Sequence, residues 1–303
     1  MAARAKKARP AASSGNGNGQ RLPVAKTYKL YIDGKFPRSE SGRYYVVNTG
    51  GTQIANACRA SRKDFRDAVV AARAAFGGWS GSSAYLRGQI LYRTAEMLEG
   101  RREQFVEELA SQGLARRESQ EEVAASIDRL VYFAGWADKY QQVFSSVNPV
   151  SSSHFNFSVL EPTGVVAIVA PDSPSLLGLI ANVAPCVAGG NTCVVLASQA
   201  APLAAVSFAE VLHASDFPAG VVNILTGFKD ELTEQFASHM DVNAVVYCDD
   251  DAASARKVQE LAADNIKRVI LRGGTDWSES ATLNPYLIGD TQETKTTWHP
   301  IGT

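Results

Sequence analysis

The first half of the chain combines a short extended stretch with long amphipathic ones. The stretch YKLYIDGKF (28–36) alternates polar and apolar residues around Asp33-Gly34, which is typical of a hairpin. Farther along, apolar residues recur at three- and four-residue spacing, the period of one face of a helix. This pattern predicts helices over 62–76, 84–110 and 118–143.

From about residue 155, short apolar runs alternate with longer helical patterns. The predicted strands are 159–171, 191–198, 220–227, 244–248 and 268–273. The predicted helices between them are 175–188, 202–214, 230–239 and 252–264. Five strands alternating with four helices indicate an α/β fold with a parallel, doubly wound sheet. Ligands of such sheets bind at the carboxyl ends of the strands.

The composition is that of an ordinary globular protein, but the charge is unevenly distributed. The 303 residues are 45% hydrophobic and 20% charged, with a net charge of −1. Residues 1–26 carry six Lys/Arg and no acid. The rest of the chain therefore has 24 basic and 31 acidic residues, and this net negative charge does not indicate a nucleic-acid-binding surface. Residues 1–27 are therefore predicted to be a disordered basic tail. An organelle transit peptide is the alternative, although GNGNGQ cannot form the amphipathic helix it needs.

The sequence indicates neither a membrane span nor a metal site. The longest apolar run, 175–190, is interrupted by Asn182, Pro185 and two glycines, which suits a buried helix better than a membrane span. The four histidines are scattered, and the four cysteines show no metal-ligand spacing. The cysteines lie in apolar surroundings and are interpreted as reduced core residues of a cytoplasmic protein.

Three consecutive aspartates, 249–251, follow the fourth predicted strand of the sheet. A strand-to-helix junction is a common phosphate site, because a helix N-terminus attracts anions. Carboxylates placed there would cap the helix and complement its dipole, each by about 0.5–1 kcal/mol. A carboxylate about 4 Å from a phosphate would repel it by around 4 kcal/mol at an effective dielectric near 20. The aspartates therefore favour an acid-capped helix over a dinucleotide site.

A series of segments extends over roughly residues 28–273: AARAAFGGWS (71–80), RGQILYRTAEMLE (87–99), EPTGVVAIVAP (161–171), VAGGNTCVVLAS (187–198), FPAGVVNILTG (217–227) and NIKRVIL (265–271). In this order and at this spacing they resemble the aldehyde dehydrogenase superfamily. The resemblance implies a Rossmann-like coenzyme-binding lobe with preceding helices. In the family a catalytic lobe and a late oligomerisation strand follow it. The family's reaction needs an attacking thiolate, oxyanion donors and a base.

The resemblance places the family's catalytic positions on residues that cannot do this chemistry. The family's nucleophilic Cys lies in the later lobe, and no residue after Arg272 is Cys. Ser173 stands at the oxyanion-binding Asn, and losing such a donor typically costs about a hundred- to a thousandfold in rate. Arg272 stands at the general-base Glu, and arginine does not deprotonate in proteins. No catalytic residue is expected, and Ser173 and Arg272 are the degenerate positions.

The family's coenzyme contacts are weakly retained. The positions that match are Ala170, Ser173, Ser198 and Gly227. Leu196 and Gln199 replace the Lys and Glu that contact the adenosine ribose, and the phosphate turn becomes 247–250, Tyr-Cys-Asp-Asp. Lys229 takes the place of a glycine and is expected to be solvated. No cofactor is therefore expected, and NAD(P) is the one implied if any binds.

The closing stretch TQETKTTWHPIG (291–302) resembles the family's oligomerisation strand, and its threonines and Trp298 favour strand structure. A coenzyme-binding domain at 28–274 would then be followed directly by a linker and this strand within 275–303. The catalytic lobe would be absent, and 144–162 would contribute to the oligomerisation strands. This arrangement is similar to the degenerate second copy of tandem, family-sixteen type aldehyde dehydrogenases. Loss of the lobe would expose apolar surface, which usually marks an interface.

Three functions remain open from the sequence. The first is a non-catalytic subunit, a pseudoenzyme, that forms a homo-oligomer or a hetero-oligomer with a catalytic aldehyde dehydrogenase. The second is an NAD(P)-dependent oxidoreductase acting on aldehydes. The third is a nucleotide- or ligand-binding module that uses Arg272 or Lys229. No nucleic-acid or membrane partner is expected.

Overall fold

The N-terminal region forms a small sheet beside the main body. The computed structural model describes residues 24–302. Residues 1–23 of the predicted disordered tail (1–27) lie outside the described residues. Strands β1, β2 and β3 form a sheet in the order β1-β3-β2. Their bounds are Thr27–Tyr28, Tyr44–Thr49 and Thr52–Cys58. The predicted turn at Asp33-Gly34 is present, with positive φ at both residues and a bridge between Ile32 and Lys35.

Five helices follow where the sequence pattern predicts three. They are α1 Arg62–Ser80, α2 Ala84–Glu99, α3 Arg102–Ser111, α4 Arg116–Trp136 and α5 Tyr140–Phe144. The predicted helix 84–110 is wrong as one element, because it ends at Gly100, which caps α2. The predicted helix 118–143 is likewise divided after Trp136. The apolar period continues across both breaks, so the pattern alone could not show them.

The predicted parallel, doubly wound sheet is confirmed. Its strands are β6 Val165–Val169, β7 Thr192–Leu196, β8 Val222–Leu225, β9 Ala244–Tyr247 and β10 Arg268–Leu271. Their order is β10-β9-β6-β7-β8, and every pair is parallel. The connecting helices are α6 Ser175–Ala188, α7 Leu203–His213, α8 Lys229–Ser238 and α9 Ala252–Ala262. The chain winds to one side of β6 and then to the other, so the switch point lies between β6 and β9.

Helices cover both faces of this sheet. Helix α6 is buried along its whole length and packs with α2 and α4 on one face. Helices α1, α8 and α9 contribute to a second apolar core on the other face, where Phe65 and Phe236 stack with ring centroids 4.1 Å apart. All five residues of β6 are buried, as a sheet covered on both sides requires.

A third sheet stands apart from the parallel one. Its strands are β4 Ser146–Asn148, β5 His154–Pro162 and β11 Gln292–Pro300, in the order β11-β5-β4. The single strand predicted for 159–171 is therefore wrong, because β5 and β6 belong to different sheets. The chain turns between them at Gly164, which has φ 133°, and a Cβ there would lie 2.2 Å from Asn243 Oδ1.

The connection from β10 to β11 is short. It contains a 3₁₀ turn at Ser280–Thr282 and the helix α10 Tyr286–Gly289, and no further domain. Strand β11 pairs with β5 along nine consecutive residues, from Gln292 opposite Pro162 to Pro300 opposite His154. In the part of the chain that the structure describes, no helix has the length and apolar character needed to cross a membrane.

Candidate functional site

A cleft of about 440 Å³ opens at the switch point, where the loops after β6 and β9 diverge. Residues 171–173 form one wall, 248–250 form the other, and 274–276 close the end. Four of the nine lining residues are aspartates: Asp172, Asp249, Asp250 and Asp276. The cleft lies where α/β sheets bind their ligands, but it presents mainly negative charge.

Lys229, the first residue of α8, bridges two of these aspartates. Its Nζ lies 2.8 Å from Asp172 Oδ2 and 3.0 Å from Asp249 Oδ2, and the residue is only 9% exposed. The expectation that Lys229 would be solvated is therefore wrong. The bridge ties the loops after three different strands together, since these residues follow β6, β8 and β9.

The pKa values of the bridge follow from burial and charge. Burial raises the pKa of Asp172, but the Lys229 ammonium and the backbone amide of Gln199 outweigh it, so the pKa of Asp172 lies below its ordinary value. Burial lowers the pKa of Lys229, but the Asp172 and Asp249 carboxylates raise it by more than burial lowers it. The pKa of Lys229 is therefore above the ordinary lysine value. The charged forms are therefore the stable ones in the fold.

The three consecutive aspartates have three different roles, which corrects the prediction that all of them cap a helix. Asp251 is the N-cap of α9 and accepts hydrogen bonds from the backbone N–H of Ala253 and Ser254. Asp249 is bound by Lys229. Asp250 accepts a hydrogen bond from the backbone N–H of Gly274.

Arg272, at the general-base position of the resemblance, is buried and bound by two side chains. Its Nη1 donates to Asn182 Oδ1 at 2.5 Å, and its Nη2 donates to Asp290 Oδ2 at 2.8 Å. The guanidinium also lies 5.8 Å from the ring centroid of Trp277. Arg272 therefore links β10 to α6 and to the end of α10, and it is not available to a ligand.

The cysteines are buried and free, as the sequence analysis expected. Cys248 lines the cleft but is only 5% exposed. Burial raises the pKa of its thiol to about 12, in spite of the nearby Arg272 and Lys229 cations. Burial also raises the pKa of Cys186, which lies beside Cys193. Cys248 is therefore an unreactive thiol at neutral pH.

The positions carried over from the coenzyme site are brought to the same edge of the sheet, but they bond to the protein itself. The Ser198 hydroxyl donates to the backbone oxygen of Asp172 at 3.0 Å. The backbone N–H of Gln199 donates to the Asp172 carboxylate at 2.8 Å. Ala170 is fully buried and Ser173 is exposed on the cleft wall. A Cβ at Gly227 would lie 3.2 Å from Leu232 Cδ1, so Gly227 serves close packing.

Glu122 of α4 is a site residue that is not among the residues predicted from the sequence. Its Oε1 accepts hydrogen bonds from the backbone N–H of Leu176 at 2.7 Å and of Leu177 at 3.2 Å, at the N-terminus of α6. Burial raises its pKa, while these two hydrogen bonds act in the opposite direction. An acid within an apolar helical stripe is the signal that could have revealed it. The N-terminus of α6 is thus already occupied by a carboxylate.

Residues 36–277 match the model of the aldehyde dehydrogenase family. The chain belongs to this family. It is 32% identical over 260 residues to the mitochondrial 10-formyltetrahydrofolate dehydrogenase of Mus musculus, covering 84% of this chain and 28% of that relative. It is also 32% identical to the putative aldehyde dehydrogenase DhaS of Bacillus subtilis, covering 82% of this chain and 50% of the relative. The chain thus spans half or less of the length of these family members.

Solved structures of the family give the same result. The crystal structure of PnpE from Pseudomonas sp. WBC-3 matches with a TM-score of 0.78 and 30% identity, over 83% of this chain and 51% of that one. The NAD⁺ complex of an aldehyde dehydrogenase from Bacillus cereus matches with a TM-score of 0.78 and 26% identity, over 82% and 51%. The α/β fold is therefore that of about half of a family member, and relatives with this fold are seen with NAD⁺.

The cleft does not offer a metal site. The described residues contain no group of three or more His, Cys, Asp or Glu side chains placed to hold a metal ion. Asp172 and Asp249 share the Lys229 ammonium as their counter-ion. What the cleft provides is an internal ion bridge, a neutral thiol and a set of hydrogen bonds among its own walls.

Proposed function

We propose that this chain is a non-catalytic aldehyde dehydrogenase family member, a pseudoenzyme, that acts as an assembly subunit with itself or with a catalytic aldehyde dehydrogenase. The observation that carries the proposal is the state of the cleft, whose thiol is buried and neutral and whose cation bridge holds the walls together. The scaffold of the family is retained around a cleft without its chemistry.

Aldehyde oxidation by this family's type of chemistry requires a thiolate at the reacting carbon. Cys248, with a pKa of about 12, supplies no useful thiolate at neutral pH. The positions of the base and the oxyanion donor hold Arg272 and Ser173. Arg272 cannot accept a proton and is bound by Asn182 and Asp290.

The residues present do not fit a dinucleotide. A pyrophosphate at the β9–α9 turn would meet Asp249, Asp250 and Asp251. One carboxylate about 4 Å away would repel a phosphate by around 4 kcal/mol at an effective dielectric near 20. Of the cations nearby, Lys229 is already neutralised by two carboxylates, and Arg272 is bound by Asn182 and Asp290. NAD(P) therefore has no part in the proposed function.

Assembly is supported by the surface of the third sheet. Strand β11 is exposed along most of its length, and Trp298 is 57% exposed. On the other strands, Val147 is 67% exposed and Phe155 is 44% exposed. The register places Trp298 on one face of the sheet, opposite Asn156, and Val147 and Phe155 on the other face. Each face thus exposes large apolar side chains, which usually mark a partner interface. We infer that this sheet is the assembly surface and that the complex is cytoplasmic.

The catalytic part of the proposal is tested with the purified chain. Neither NADH nor NADPH should form with a panel of aldehydes, and neither coenzyme should raise the melting temperature. A catalytic family member assayed in parallel serves as the positive control. NADH formation that is lost in Cys248→Ala would overturn the proposal and establish an NAD(P)-dependent oxidoreductase instead.

The assembly part is tested by mass. The chain is co-expressed with a catalytic aldehyde dehydrogenase of the same host, and the purified species is measured by native mass spectrometry. An oligomer of this chain, or a complex that contains both chains, is the expected result. A monomer at every concentration, with and without the second protein, would contradict it.

A further inference from the structure

We propose that two copies of this chain associate by packing their α2 helices antiparallel, about a two-fold axis between Gly88 and Gln89. The inference rests on the proposed assembly role and adds to the third sheet a second face, which is made of helices. A two-fold contact of this kind uses the same surface on both copies and closes as a dimer.

The proposed surface is a groove of about 490 Å³ between α2 and α4. Its floor consists of small residues. A Cβ at Gly88 would lie 2.8 Å from the backbone oxygen of Ala134, and a Cβ at Gly135 would meet no described residue outside its own helix within 4 Å. Tyr85 and Tyr92 stand on the α2 side of the groove and are 66% and 52% exposed. Two large aromatic side chains beside an unfilled groove are typical of a partner interface.

The two helices that form the groove run antiparallel. A Cβ at Gly88, near the start of α2, would lie 3.5 Å from the Cβ of Ala137, which directly follows α4. Farther along α2, Glu99 and Asp128 both raise the pKa of Arg102, so Asp128 of α4 lies close to the end of α2. The start of α2 and the end of α4 therefore lie together at one end of the groove.

The aromatic residues favour an axis that crosses the groove at its middle. Tyr85 and Tyr92 are two turns apart and lie on the same face of α2, and Gly88 and Gln89 are midway between them. An axis there, perpendicular to the helices, opposes Tyr85 of each copy to Tyr92 of the other, and such aromatic pairs gain more than the burial of their area. Gln89, whose Nε2 donates to Tyr85 Oη at 3.0 Å, would face its own copy, and two amides can hydrogen-bond to each other.

The charges at the two ends of the groove select the same axis. Counted outward from the middle, one end carries Asp138 and then Lys139, and the other carries Arg93 and then Glu96. The axis exchanges the ends, so Arg93 faces Asp138 of the second copy and Glu96 faces Lys139. An axis along the groove would instead bring each charge to its own copy, and like charges repel. Since the ion pairs within one chain are exposed and contribute little, these complementary ends favour a second copy as the occupant of the groove.

Cysteine cross-linking tests the position of the axis. The two copies of Gln89→Cys would lie on helices about 8–10 Å apart and differ in level by one residue, about 1.5 Å, so a short bis-maleimide should join them efficiently. Glu96→Cys is the matched control, because its two copies would be about 22 Å apart along the helices. The wild-type chain gives the background, since its four cysteines are buried. Equal cross-linking at both positions would overturn the axis.

Two charge variants test the contact in solution by sedimentation equilibrium. Arg93→Glu places a carboxylate opposite Asp138, and Asp138→Arg places a guanidinium opposite Arg93, so each variant alone should have at most half the mass of the wild-type assembly. An equimolar mixture of the two variants should restore the wild-type mass, because both contacts of the mixed dimer again join opposite charges. Circular dichroism melts show that each variant keeps its fold. A monomeric wild type, folded variants with the wild-type mass, or a mixture that does not recover it would overturn the proposal.

The two proposals fail in different ways. An assembly whose mass neither charge variant changes would overturn the α2 contact and leave the assembly role of the third sheet intact. NADH formation by the chain would overturn the pseudoenzyme and leave the α2 contact untouched.

Discussion

Lys229 is the residue on which the character of the cleft depends. Its ammonium satisfies Asp172 and Asp249, which would otherwise repel each other across the cleft. Breaking a buried ion pair leaves an uncompensated buried charge and strongly destabilises the fold, whereas an exposed ion pair contributes little to stability. The bridge lies between these limits, because Lys229 is buried and its two partners are partly exposed.

Replacing Lys229 should therefore destabilise the fold by an intermediate amount. We expect Lys229→Met to lower the free energy of unfolding by about 1–3 kcal/mol, measured by urea denaturation at pH 7. Lys257→Met is the matched control, since Lys257 makes an exposed 3.7 Å pair with Glu234, and its cost should stay within about 0.5 kcal/mol. Equal effects of both changes would show that the bridge contributes nothing beyond a surface pair.

The bridge also predicts a pH dependence. The pKa of Asp172 is lower in the folded protein than in the unfolded chain. The ionised Asp172 carboxylate therefore stabilises the fold at pH values above its unfolded pKa, and this stabilisation is lost as the pH falls through its folded pKa. Asp172→Asn should lower the free energy of unfolding by about 1 kcal/mol between pH 6 and 8, a small value because solvent screens this partly exposed carboxylate. The difference from wild type should shrink below about pH 3.8. A difference that persists unchanged at about pH 3 would exclude the ionised carboxylate as its source.

At the scale of elements, α6 shows how a helix that is apolar on all sides is held in register. Its side chains are buried along the whole length, so packing alone leaves the free N–H groups of its first turn without water. Glu122 reaches from α4 and accepts two of them. A polar contact between two helices therefore fixes where the central helix begins.

Removing this contact should be costly. Glu122→Ala leaves two buried N–H groups unsatisfied, and we expect the free energy of unfolding to fall by about 2–4 kcal/mol. The adjacent Glu121→Ala removes an exposed carboxylate paired with Arg117 and should change it by less than about 0.5 kcal/mol. Chemical denaturation of both variants under identical conditions provides the comparison. If Glu122→Ala were as stable as Glu121→Ala, the carboxylate would not be the cap that holds α6.

At the scale of the whole molecule, the connection from β10 to β11 joins the parallel sheet to the third sheet. Arg129 of α4 holds it by donating to the backbone oxygen of Trp277 at 2.6 Å and to Thr282. Arg272 and Asp290 hold its two ends together at 2.8 Å. These contacts direct the chain from the edge of one sheet to the edge of the other.

Loss of the Arg129 contacts should loosen the connection without unfolding the parallel sheet. We expect Arg129→Met to accelerate chymotryptic cleavage near Trp277 and Leu283 several-fold under native conditions, because local opening exposes the backbone. Arg117→Met, on the exposed face of the same helix, should leave the rate unchanged. Mass spectrometry of the fragments identifies the sites. Cleavage elsewhere at an increased rate would point to a general loss of stability.

The sequence by itself determined most of the helices and strands between residues 171 and 273, the parallel sheet and the family, because strand and helix periods and the family's segments are local patterns. It also placed the aspartates, Ser173 and Arg272 at the carboxyl edge of that sheet. Only the tertiary structure decided what these groups contact. Lys229 meets Asp172 and Asp249 because three strands end side by side, although 57 and 20 residues separate them along the chain. Likewise Glu122 reaches α6, and β11 reaches β5, through packing between distant segments that no local period encodes.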